Sequence, residues 1–253
     1  MTTKTEVRVF DDGLALAQAA AGLVVASAQG AIAARRIFRL ALSGGSTPRA
    51  MHRILRQPDH ASQIDWSLVQ IFWGDERCVP PDDPDSNYRM AAATLLNHVP
   101  VPKSNIHRVR GELPPQQAAD DYQSQLVNQF GLTPDKTGQS FPVFDLILLG
   151  LGTDGHTASL FPGSDALEEQ QRWVRAVPHD QPPAPLVPRV TITLPVIQSA
   201  RQVVFLVSGQ DKASRLAEVL SPPGNEPLPA QLAKPSEGTI IWLADRAAAA
   251  QLA

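Results

Sequence analysis

Short apolar runs recur along this chain, and the segments between most of them place apolar residues at helical spacing. Glu6–Phe10, Ile37–Leu42, Leu68–Trp73, Phe144–Leu149, Val203–Val207 and Thr239–Leu243 read as strands, with a shorter one over Ile106–Val109. Several are almost continuously hydrophobic, the pattern of strands covered on both faces. Helices are expected over Leu14–Ala34, from Pro48 towards Arg56, from a Ser86 cap towards His98, over Pro115–Phe130, from Asp211 towards Leu220, and over Arg246–Leu252. Asp11 or Asp12 supplies a side-chain oxygen to cap the first helix, and Pro48 suits a first turn. Trp173–Val177 and Val190–Leu194 read as extended segments joined by the proline-rich Pro178–Pro188, while Thr133–Ser140 and Pro222–Gly238 read as loops. Alternating strands and helices define the class as α/β with a mainly parallel sheet flanked by helices. No repeat or long linker divides the chain, so one domain over 1–253 is expected.

Composition changes this picture little. A hydrophobic share of 43% and a charged share of 19% are those of an ordinary globular protein. A net charge of −3 gives no electrostatic footprint for nucleic acid. One cysteine, Cys78, excludes an internal disulfide and a cysteine-rich metal site; it reads as a packing residue, and a cytoplasmic location is the default. The run Leu14–Ala34 imitates a signal segment, and Ala26-Ser27-Ala28 a cleavage triplet. Glu6, Asp11 and Asp12 are mixed with Lys4 and Arg8 ahead of it, and Gln18, Ser27 and Gln29 interrupt it. An amphipathic helix, falling short of a membrane span, is therefore expected, with no membrane partner.

Chemistry concentrates where apolar runs end. Phe144–Leu149 empties into Gly150-Leu151-Gly152-Thr153-Asp154-Gly155-His156, followed by the hydroxyls of Thr157 and Ser159. The glycines match G-x-G-x-x-G, but Pro162-Gly163 follows too soon for the crossover helix that a dinucleotide site requires, so no nucleotide cofactor is expected. His156 has the residue type and setting of a general base, with Asp154 placed to orient its ring; the alternative is a histidine bonded only within its own loop. No second histidine or cysteine lies at metal-ligand spacing. The segment Ser43-Gly44-Gly45-Ser46-Thr47-Pro48 places backbone N–H groups and hydroxyls at a helix start, which suits phosphate, or forms an ordinary capped turn. Arg77, Arg189 and Lys212 sit near strand ends, where a phosphate clamp would want them, although each alone could be a surface charge. Histidines 52, 60, 98, 107 and 179 read as structural or surface residues.

Taken together, SGGSTP, FWGDERCVP with DSNYRMA, FDLILLGLGTDGHTASLFPG and VSGQDKA resemble the 6-phosphogluconolactonases, in that family's order and over nearly the whole chain. SGGSTP is shared with a wider sugar-phosphate superfamily that includes glucosamine-6-phosphate deaminases and ribose-5-phosphate isomerases. The resemblance implies a Rossmann-like fold and cofactor-free hydrolysis of 6-phospho-D-glucono-1,5-lactone, the second step of the oxidative pentose phosphate pathway. It implies that Ser43, Gly44, Gly45, Ser46, Thr47, Arg77, Arg189 and Lys212 contact phosphate and substrate, and that His156 is the base with Asp154 beside it. Asp75 matches an acidic position that is catalytic in the deaminases. Two other readings remain. In the deaminases the related turn resembles DGHIAFNEP, with an acid-base glutamate; here Phe161 stands in its place. A non-catalytic sugar-phosphate sensor would ordinarily carry a helix-turn-helix segment, and the first strand begins too early here to leave room for an N-terminal one. The sequence carries no signal for oligomeric state.

Overall fold

The apolar runs become six parallel strands. In the computed structural model, which describes residues 4–134 and 140–252, the chain begins with β1 (Lys4–Phe10), α1 (Gly13–Arg35), β2 (Phe38–Leu42), α2 (Ser46–Leu55) and α3 (Pro58–Ala61). It continues through β3 (Val69–Trp73), β4 (Asp75–Arg77), α4 (Asn87–Thr94), α5 (Pro115–Phe130) and β5 (Leu146–Leu149). The last third holds β6 (Val174–Val177), β7 (Arg189–Ile192), α6 (Leu194–Gln198), β8 (Gln202–Val207), α7 (Ala213–Leu220), α8 (Pro229–Leu232) and β9 (Thr239–Asp245). The centre of the expected loop Thr133–Ser140 lies outside the described residues.

The main sheet has the order β1-β9-β8-β5-β2-β3 with every pairing parallel. Successive side chains of a strand point to opposite faces. Leu146 and Leu148 of β5 accordingly join one core with α1 and α2, while Ile147 and Leu149 join a second core with α5 and α7. Four buried residues in a row in β5 therefore fill two cores, which is why that run shows no alternation. The chain leaves β2 towards β3 on one side and β5 towards β8 on the other, so the sheet has its switch point between β2 and β5. A crevice opens at the carboxyl ends of strands at such a point.

α1 is capped by Asp12, whose Oδ1 accepts from the Leu14 and Ala15 N–H groups at 2.9 and 2.8 Å. By length and composition it is apolar enough to cross a membrane, against the expectation that its polar residues spoil such a span. Here the stripe Leu16, Ala17, Ala20, Ala21, Val24, Val25, Ala28 and Ala31 is buried in the core, while Leu14 in the first turn is exposed.

Several expectations need correction. α2 begins at Ser46, two residues before Pro48, with Gly45 as its cap. The helix capped by Ser86 stops at Thr94, whose Oγ1 donates to the Met90 carbonyl, and a separate tight turn, Leu96–His98, follows. Ile106–Val109 makes only one bridge, Ile106 to Ile71. The helix expected over Arg246–Leu252 is a series of turns, its start held by Asp245 Oδ1 accepting from the Ala248 N–H at 2.8 Å. Asp211 and Lys212 lie in a short 3-10 turn that precedes α7. The short helix α8 falls inside the expected loop Pro222–Gly238, α6 begins on Leu194 at the end of an expected extended segment, and α3 lies in a stretch where no element is expected. The extended segments Trp173–Val177 and Val190–Leu194 do pair, as β6 and β7, and with β4 form a second, antiparallel sheet in the order β4-β7-β6. The Gly74 carbonyl accepts from the Ile192 N–H at 2.9 Å and ties this small sheet to the end of β3.

Candidate active site

A cleft of ≈ 300 Å³ lies at the carboxyl ends of the central strands. After β2 come Ser43, Gly44 and Gly45, and then Ser46 and Thr47 in the first turn of α2, all on its wall. The first N–H groups of a helix have no partner within it, and the helix dipole favours an anion there. Gly44 admits no side chain: a Cβ would stand 1.9 Å from Asn87 Oδ1.

After β3 the chain passes Gly74 into β4, which carries Asp75 and Arg77 on one face and Glu76 on the other. Asp75 is buried; its Oδ2 accepts from Ser159 Oγ at 2.7 Å and its Oδ1 from Asn87 Nδ2 at 3.3 Å. Arg77 and Arg189 are register partners across β4 and β7. Arg77 Nη1 donates to the Asp85 carbonyl at 2.6 Å, and Arg189 Nη2 to the Pro185 carbonyl at 2.9 Å. Burial lowers the affinity of the Arg189 guanidinium for its proton, the Arg77 charge lowers it further, and Asp75, Asp85 and Glu76 oppose.

Glu76 shapes this wall from behind. Its carboxylate accepts from the N–H groups of Arg77, Asn87 and Tyr88 at 2.8, 2.7 and 2.7 Å, and from Ser86 Oγ at 3.1 Å. It thereby secures the start of α4, and with it Asn87, to β4. Burial pushes its carboxyl up to about 7 against the pull of those N–H groups.

After β5, the turn Gly150–Ser159 delivers His156. Asp154 Oδ1 accepts from the His156 N–H at 3.0 Å and pairs with its Nδ1 at 2.6 Å. This fixes one ring nitrogen and leaves Nε2 for the cleft. Burial pushes the Asp154 carboxyl up, but the hydrogen bonds from the His156 ring and backbone outweigh it and hold the group at about 2. A Cβ on Gly152 would lie 2.2 Å from His156 Nδ1 and 2.5 Å from Asp154 Oδ1, so only glycine leaves room for the pair. Thr157 Oγ1 donates to the Gly150 carbonyl at 2.8 Å and closes the turn. No crossover helix follows Gly155; the next regular element is the 3-10 turn Asp165–Leu167.

Of the residues singled out from sequence, Ser43, Gly44, Gly45, Ser46, Thr47, Asp75, Arg77, His156, Arg189 and Lys212 line this one cleft. Asp154 stands behind His156. Lys212 Nζ is 3.3 Å from Asp211 Oδ2 on the wall after β8. Sequence reasoning missed the roles of Asn87 and Ser159 beside Asp75, of Glu76, and of Pro183 and Ala184 in the cleft wall. No local pattern marks Asn87: it directly follows the Ser86 cap, and its burial arises only when α4 docks against β4. The Pro183 and Ala184 contacts depend on how the linker folds back, which no local pattern encodes.

Residues 11–242 match the family described as glucosamine-6-phosphate isomerases/6-phosphogluconolactonase. The chain is 42% identical to a 6-phosphogluconolactonase of Synechocystis sp. over 88% of each chain. It is 40% identical to the human 6-phosphogluconolactonase, over 96% of this chain and 92% of that one. Among solved structures, a 6-phosphogluconolactonase from Trypanosoma cruzi superposes with a TM-score of 0.87 at 29% identity, over 100% of this chain and 98% of that one. The chain belongs to the glucosamine-6-phosphate isomerase/6-phosphogluconolactonase family.

Proposed function

We propose that this chain hydrolyses 6-phospho-D-glucono-1,5-lactone to 6-phospho-D-gluconate, with His156 as general base. The observation that carries the reading is one cleft with an imidazole held by Asp154 on one wall and Arg77, Arg189, Lys212 and the start of α2 on the others. The cations and backbone N–H groups anchor the 6-phosphate. Binding at a group remote from the reacting carbon positions the lactone for attack. His156 Nε2 takes a proton from water as the oxygen adds to the C1 carbonyl, and Asp154 stabilises the imidazolium that forms. N–H groups of the turn meet the developing oxyanion. His156 then returns the proton to the ring oxygen as the C1–O bond breaks, giving the open acid. The steps balance with water alone and need no covalent intermediate.

Phe161 supports this reading over deamination. Its ring lies 4.7 Å from the His156 ring, and an apolar ring carries no proton. The deciding experiment couples lactone opening to 6-phosphogluconate dehydrogenase, for wild type and His156→Ala, above the spontaneous rate. The reading expects wild-type turnover and a fall of roughly 10²- to 10⁴-fold in the variant. Near-normal hydrolysis by His156→Ala would remove the assignment, and ammonia release from glucosamine 6-phosphate would replace the activity.

A further inference from the structure

An aromatic stack ties the imidazole of the cleft to a segment of irregular chain. Phe161 sits between two histidines, 4.7 Å from the His156 ring and 4.4 Å from the His179 ring, the latter nearly parallel at 16°. His179 is buried, and its Nε2 meets the Pro183 carbonyl oxygen at 2.6 Å. A carbonyl only accepts, so that nitrogen carries the proton. Pro183 and Ala184 form part of the cleft wall. Just beyond them, the Pro185 and Val187 carbonyls accept from Arg189 Nη2 and Nε at 2.9 and 3.2 Å. The strap between Pro178 and Pro188 is thus held at one end by an imidazole stacked on the neighbour of His156, and at the other by one of the opposed arginines.

Behind Phe161 the protein is open. A second cavity, ≈ 710 Å³, is lined by Asp154, Phe161, Arg175 and His179 among others. Phe161 is therefore not backed by packed core on that side, and a ring freed from its neighbour would have space to swing away from His156. His179, which lines the same cavity, is the ring stacked on Phe161.

We infer that His179 is a positioning residue: stacked on Phe161 it fixes the orientation of the His156 ring, and through the Pro183 carbonyl it holds the strap against the bound substrate. This rests on the lactonase reading above. The two actions use different parts of the side chain, the ring face and the Nε2 proton, so two substitutions separate them. His179→Phe keeps the ring and removes the donor. His179→Gln keeps a donor and removes the ring.

The test measures kcat and KM for the lactone in both variants, together with thermal unfolding and the NMR signal of His156 Cε1–H, which needs no turnover. His179→Phe is expected to raise KM roughly 3- to 10-fold while kcat stays within about twofold, because wall contacts loosen but the base stays aimed. His179→Gln is expected to lower kcat about tenfold with a smaller change in KM, and to shift the His156 signal, which His179→Phe leaves in place. A purely structural His179 would alter thermal unfolding alone, leaving kcat, KM and the His156 signal at wild-type values; that result overturns the inference. So does an identical kinetic loss in both variants, since the two actions would then not be separable. If wild type opened no lactone above background, the proposed function would fail on its own, and the His156 signal would still decide whether His179 orients that ring.

Discussion

Arg77 and Arg189 stand directly opposite each other across the antiparallel pair β4–β7, two guanidinium groups on one face of a three-stranded sheet. Like charges in that position destabilise a sheet. Arg189 is buried, Arg77 Nε is buried without a hydrogen-bond partner among the described residues, and the anionic groups near them are shared with other donors. Such a pair costs the empty protein stability and is relieved when an anion with several oxygens lies between the two forks.

Replacing one arginine should therefore separate stability from function. Arg77→Gln is expected to weaken binding of 6-phosphogluconate about 10- to 100-fold, the loss typical of a charge-assisted hydrogen bond. The ligand-free variant should be as stable as wild type, or more stable by up to about 1 kcal/mol, because the opposed charge is gone. Calorimetric titration and denaturant unfolding check the two halves. A variant that loses stability and keeps affinity would show that Arg77 is a structural residue.

The Asp154–His156 contact makes a second prediction, about charge against orientation. Asp154 Oδ1 alone receives both hydrogen bonds from His156, so Asp154→Asn can keep the acceptor in place while removing the charge. Asp154→Ala removes both. If stabilising the imidazolium matters, Asp154→Asn should already lower kcat by roughly 10² or more, and Asp154→Ala should fall further. Equal activity of Asp154→Asn and wild type, in the coupled assay, would leave Asp154 only a tether.

The strands and the turn residues at their ends were legible in sequence because both are local: an uninterrupted apolar run, then glycines and hydroxyls. β5 and the Gly150–His156 turn are the clearest case. The second sheet was not legible in the same way. β4 is only Asp75-Glu76-Arg77, two of them residues that disfavour strands, and it exists because β7 returns from 112 residues later to pair with it. Glu76, which in sequence only follows the end of the run Leu68–Trp73, is buried because α4 docks its N-terminus on that short strand. From sequence His179 reads as structural or surface, since nothing near it in the chain indicates that Phe161 will lie beneath its ring.

Gly152 offers a test of how closely His156 must be held. Gly152→Ala would drive a methyl group into the His156–Asp154 pair, with separations of 2.2 and 2.5 Å to their atoms. The turn is partly exposed and can shift, so the fold should survive with at most about 1–3 kcal/mol lost. The imidazole should be displaced, and a misplacement near 1 Å costs about 10²-fold in rate. Normal kcat in Gly152→Ala, with unfolding measured alongside, would mean that the pair tolerates movement.

Glu76 sets a pH dependence of stability whose sign follows from its burial. Its carboxyl is raised from 4.5 to about 7 in the folded chain. Below pH 4.5 the group is protonated in both states and contributes nothing to the difference. Between 4.5 and 7 the unfolded chain releases the proton while the folded chain retains it, so the folded state is progressively disfavoured. Above 7 both states are ionised and the loss levels off, on the order of 3 kcal/mol at most. The wild type should lose stability, relative to Glu76→Gln, as pH rises through that window. Glu76→Gln itself should be less stable at the acid end, because an amide NH₂ then faces N–H donors from Arg77, Asn87 or Tyr88. Denaturant unfolding of both proteins from pH 4.5 to 8 measures the two slopes. Parallel slopes would show that Glu76 is ionised throughout, held by the three N–H groups at the start of α4 more strongly than burial opposes them.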